Sequence, residues 1–84
     1  MTTSPIFMKT LVHGAHVRSF HIHPSSPDGW VASEEADQQI VQRQRYTDWH
    51  RVERAAMRFR SAADELQRAG WTDVRPHHGE APAG

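Results

Sequence analysis

The 84-residue chain has no cysteine, no asparagine and a single lysine among its ten basic residues. Without thiols, disulfides, cysteine-based zinc fingers, iron–sulfur clusters and cysteine nucleophiles are excluded. No apolar run approaches the roughly 20 residues of a membrane helix. The opening residues, MTTSPIFMKTLV, lack the basic stretch and apolar core of a signal peptide. These absences predict a soluble, cytoplasmic protein without a membrane partner. Net charge is also missing, with ten acidic groups balancing the ten basic ones. A neutral surface offers little repulsion to self-association. Lysine and asparagine use AT-rich codons and arginine mostly GC-rich ones, so the nine arginines partly reflect a GC-rich bacterial genome. The length allows one small domain, near the lower limit for unaided folding.

What is present begins with a helix. Apolar or small residues stand at Trp49, Val52, Ala56, Phe59, Ala63 and Leu66, alternately three and four apart. That spacing forms one stripe of an amphipathic helix across residues 47–70. Thr47 or Asp48 can cap its start, Gly70 can end it, and Trp71 can fold back onto the last turn.

Upstream, IFMKTLV and HVRSFHIH are β-branched and aromatic, and Gly14-Ala15 between their ends signals a type II′ hairpin. The implied register sets His13 opposite His16, Val12 opposite Val17, Lys9 opposite Phe20 and Phe7 opposite Ile22. One face then carries Phe7, Leu11, Phe20 and Ile22, with Lys9 and Arg18 among them, and is the better core face. Met8, Thr10, Val12, Val17, Ser19, His21 and His23 occupy the other. After the loop PSSPDG, WVASEE and QIVQRQRYT can form two more strands around Ala36-Asp37-Gln38. Residues 33–46 also suit a second helix capped by Ser33. The expected fold is α+β: an antiparallel β-meander of three to four strands, then one C-terminal amphipathic helix packed on one sheet face. Residues 6–71 would form the domain, between a flexible N-terminus (1–5) and a flexible tail (72–84).

Four of the seven histidines fall within VHGAHVRSFHIH. His21 and His23, two apart on a strand, point to one side as metal-binding pairs do, but zinc needs three or four protein ligands. His13 and His16 lie at the hairpin end, roughly 15–20 Å away at about 3.3 Å per residue. The pattern therefore predicts a polar strand and no bound metal or other cofactor. Metalloprotease, P-loop, dinucleotide and serine-hydrolase motifs are missing. His50 next to Arg51 could serve acid–base cleavage of RNA, but adjacent helical residues diverge and imply no pocket.

Arginine is more informative. Arg51, Arg54 and Arg58 fall at i, i+3 and i+7 of the helix, away from the apolar stripe, with His50 beside them. Six arginines between residues 43 and 60 face only Asp48 and Glu53. Arg43 and Arg45 on the preceding strand would enlarge the same anion- or partner-binding surface. Asp64 can pair with Arg60 or Arg68 along the helix.

At RYTDWHRVERA and RAGW, over residues 16–71, the chain is similar to short hypothetical proteins of GC-rich proteobacteria, a resemblance that carries no function. Four strands followed by a helix also resembles the order in single-stranded nucleic-acid-binding domains of the PC-four and Pur groups. Those domains dimerise and use strongly basic sheets with exposed aromatics, which this neutral chain does not match, and element order alone carries no function. The resulting expectation is a non-catalytic protein acting through its surface. It would form a weak homodimer or bind an unknown protein partner. Weak, sequence-independent nucleic-acid binding and a small His/Arg ribonuclease are the alternatives.

Overall fold

The structure, a computed structural model, describes residues 6–25 and 27–74. Four antiparallel strands, β1 (Phe7–His13), β2 (His16–Pro24), β3 (Trp30–Ala36) and β4 (Gln39–Tyr46), precede one helix, α1 (Trp49–Arg68). A short strand, β5 (Thr72–Asp73), then rejoins the sheet, whose order is β4-β3-β2-β1-β5. The fold is α+β, with α1 packed on one face.

Local chemistry sets the turns. Gly14 takes a left-handed φ of 61° at the β1–β2 hairpin, and the register pairs His13 with His16 and Phe7 with Ile22, as the pattern predicts. Residues 33–46 form two strands and not a helix. Asp37 and Gln38, at φ 52° and 70°, make the two-residue turn between them. The Asp37 N–H donates to the Val17 carbonyl at 2.8 Å, and its carboxylate accepts from the Val17 N–H at 2.9 Å. His16 Nδ1 lies 3.1 Å from the other carboxylate oxygen. Long-range pairing with β2 thus overrides the local helical preference of this segment.

Both helix ends are closed as the sequence implies. The Asp48 carboxylate accepts from the His50 N–H at 3.1 Å. At the far end the Gly70 N–H reaches the Gln67 carbonyl and the Trp71 N–H reaches that of Leu66, at 3.1 and 3.0 Å. This is the Schellman pattern, with Trp71 and Leu66 packed on the same core cluster.

The core has two clusters, one of Ile22, Ala32, Val52 and Ala55 and one of Leu11, Phe20 and Ala63. Phe7 and Phe59 pack on both. The Phe59 ring sits 6.1 Å from that of Phe7 and 5.2 Å from that of Phe20. The helix is turned slightly from the predicted stripe. Ala55, outside that stripe, is fully buried, whereas Trp49 is 44% exposed with its ring set edgewise to Trp30. Small residues at 55 and 63 let the helix approach the sheet, and the bulky indole stays at the margin.

Two cations on the core face are neutralised at its edges. Arg18 pairs with Glu34 and lies over the Phe20 ring, and Lys9 Nζ is 2.9 Å from Asp73. The second pair corrects the expectation of a flexible tail from residue 72. Thr72 and Asp73 form β5 against β1, and the Val74 N–H donates to the Thr10 carbonyl at 2.8 Å. The Schellman turn aims the chain back at β1, and Lys9 holds it there. The remaining expected flexible ends, 1–5 and 75–84, lie outside the described residues. No helix among the described residues is long and apolar enough to cross a membrane.

Candidate functional site

The four clustered histidines separate into different environments. His13 packs on Trp71, His16 meets Asp37, and His21 stacks on His23 with its Nε2 3.4 Å from Glu35. Among the described residues, no group of three or more His, Asp or Glu side chains could hold a metal ion.

The other end of the sheet is different. Among the described residues, β4 is an edge strand paired only to β3, and residues 39–45 are all exposed. Ile40 and Val41 are 51% and 60% exposed. Glu34 pairs with Gln42 and Glu35 with Ile40, which leaves Val41 as the extra residue of a bulge. Strand alternation then divides the rest of β4. Gln42, Gln44 and Tyr46 lie opposite Glu34, Ala32 and Trp30, on the side of α1. Arg43 and Arg45 lie opposite Ser33 and Val31, on the open face.

Above Gln42, Gln44 and Tyr46 the helix leaves a trough of about 200 Å³. Phe20, Ala32, Phe59 and Ala62 make it apolar, and Glu34 and Arg58 stand at its rim. At the Tyr46 end it continues into a cationic hollow formed by Arg51, Arg54, Arg58 and Tyr46. The Arg58 guanidinium donates to the Tyr46 hydroxyl at 3.1 Å. Arg51, Arg54 and Arg58 have no carboxylate partner among the described residues. On its outer side the trough opens onto Met57, 64% exposed, with Ser61 and Glu65.

The six candidate residues are therefore not one surface. Arg51, Arg54 and Arg58 come together, and Tyr46 joins them. Arg43 and Arg45 lie on the opposite side of the sheet, because beyond the bulge the odd positions of β4 point away from α1. Arg45 donates to Ser25 Oγ at 3.0 Å and the Asp28 carbonyl at 3.3 Å, fastening the β2–β3 loop. His50 is outside the hollow, with its Nδ1 3.9 Å from Glu53. The anticipated Asp64 pairs with Arg60 and Arg68 do not form among the described residues.

Sequence reasoning missed Tyr46, Gln44, Gln42 and Ala62 as site residues. The signal was available in QRQRY, where alternation places the glutamines and tyrosine on one face and both arginines on the other. No family model matches the chain, and no curated protein or solved structure matches it either.

Proposed function

We propose that this protein is a non-catalytic interaction module whose protein partner adds an extended segment to β4. The exposed edge carries this reading: among the described residues no strand pairs with the outer side of β4, which bears exposed Ile40 and Val41. Such an edge is a template for strand addition, in which backbone hydrogen bonds give affinity and side-chain pockets give specificity. The neighbouring trough, about 200 Å³ and lined by Phe20, Ala32, Phe59 and Ala62, can take one or two apolar side chains of a docked segment. Among the described residues, no histidine lines the trough or the hollows adjoining it, which weighs against acid–base cleavage of RNA.

Self-association through β4 is the weaker form of this reading. Antiparallel pairing of two β4 strands would gather Arg43 and Arg45 of both copies on one face, and like charges across a pair destabilise it. Pairing through the open face would bury Met8 and Ile40, both about half exposed, while Val12 and Val17 are already half-buried there.

Site-specific photo-cross-linking tests the reading. A photoreactive residue replaces Val41, Met57 or Met8 in turn, and nuclease-treated lysate is irradiated with each. Adducts with another protein are expected at positions 41 and 57 and not at 8. Adducts at position 8 alone would move the interface to the open face. Adducts consisting only of two copies of this chain would make it a homodimer.

A further inference from the structure

We infer that the segment received by β4 runs antiparallel to it, with a block of acidic residues preceding alternating apolar residues. This inference rests on the edge-binding reading and adds the chemistry and direction of the partner.

The place of the acidic block comes from the uneven charge of the trough, and direction from the antiparallel pairing of the sheet. The cationic hollow sits beside Tyr46, the last residue of β4. The apolar stretch between Phe59, Ala62 and Ala32 follows over Gln44 and Gln42. At the Gln42 end stands Glu34, whose charge is matched by Arg18. A strand antiparallel to β4 passes Tyr46 first, so its N-terminal residues meet Arg51, Arg54 and Arg58. Three guanidiniums without carboxylate partners favour carboxylates there, since Arg presents fork-shaped donors that match them. Beyond the hollow, alternate side chains of the same segment point into the apolar stretch and to the open face. Antiparallel addition continues the pattern of the whole sheet.

The occupant we infer is a segment of another protein. Residues 75–84, RPHHGEAPAG, hold one carboxylate, and residues 1–5, MTTSP, hold none. A second copy of β4, paired antiparallel, brings no carboxylate to the hollow and sets its Arg43 and Arg45 on the open face.

A single-stranded nucleic acid could also use the three arginines. The neighbouring cations do not extend them into a backbone track, because Arg43 and Arg45 lie on the far side of the sheet. The apolar stretch also favours side chains over phosphates.

The test uses short fluorescent peptides of one composition and two orders, aspartates before or after an alternating valine–threonine stretch. Anisotropy should show the acid-first peptide binding about tenfold tighter, the scale of one well-made charged contact. Changing Arg51, Arg54 and Arg58 together to Gln should erase that preference, with the thermal melt checking that the domain stays folded. N-methylating backbone amides in the apolar half of the acid-first peptide should abolish binding. Equal binding of both orders would overturn the acid-first assignment and leave edge addition standing. Undiminished binding of the N-methylated peptide would overturn edge addition itself. Failure of all peptides, with cross-links at position 41 intact, would reject the partner chemistry while keeping the edge. Tighter binding of oligothymidylate than of the acid-first peptide, lost in the triple variant, would replace the inference with nucleic-acid binding.

Discussion

Strand β2 has neighbours on both sides and α1 above it, and Phe20 and Ile22 in its length are fully buried. Strand β4 has one neighbour, and of its eight residues only Tyr46 is even half-buried. Both contain β-branched or aromatic residues, so both hold a pleated strand. Only β2 turns that composition into core. In β4, apolar side chains are left in water, and an edge of this kind invites pairing unless it is guarded. Arg43 provides a guarding charge on the open face. One strand is committed to stability, and the other is the one we propose for recognition.

Denaturant unfolding should separate these two uses most sharply. Phe20→Ala removes a ring held between Leu11, Ala63 and Phe59, and its cost should be about 3–5 kcal/mol. That is comparable to the whole stability of a small domain. Val41→Thr keeps the branched shape at an exposed bulge, and its effect should stay within about 0.5 kcal/mol. A loss at Val41 approaching that at Phe20 would make β4 part of the folding core and remove the contrast.

A smaller effect should come from the turn that joins β3 to β4. Gln38 holds a left-handed φ of 70°, where a side chain costs backbone energy and glycine does not. Gln38→Gly should therefore stabilise the domain by about 0.5–1 kcal/mol, with a Tm about 2–8 °C higher. Partner binding along β4 should be unchanged. A lower Tm would show that the Gln38 side chain does more for the hairpin than its backbone strain costs.

The fold was largely legible in the sequence because its signals are local. Gly14 marks the first turn, the three-and-four spacing marks α1, and Gly70 marks its end. The helix rotation toward Ala55 was not legible, since an alanine in a helix reads equally as core or surface. Nor was β5, whose two residues gain meaning only when Asp73 reaches Lys9. The candidate site was half legible. The arginine triad follows from helical spacing, but the trough depends on how far α1 leaves β4 uncovered, and no periodicity encodes that distance. Treating Arg43 and Arg45 as neighbours of the triad ignored the alternation of the strand that carries them.

The smallest effect concerns the fastening of this exposed hairpin to the committed half of the sheet. The Val17 N–H bonded to its carboxylate, with His16 beside it, holds Asp37 below its ordinary value of 3.8. A carboxyl with a depressed folded value stabilises the native state above the unfolded value, and that contribution disappears as pH falls through the folded one. Asp37→Asn tests this cleanly. Asparagine keeps an acceptor for the Val17 N–H and tolerates the left-handed φ of 52°, so the change removes charge and little else. Urea midpoints measured from about pH 6 down to about pH 2.5 should show the wild type ahead at the upper end and level with the variant at the lower. Because the carboxylate is exposed, the difference should be small and should shrink further in salt. A constant difference across the range would assign the fastening to hydrogen-bond geometry alone. A difference that grows on acidification would contradict the depressed value. If it converges as expected, Asp37 is a charge-assisted clasp that holds β4 in place from its turn.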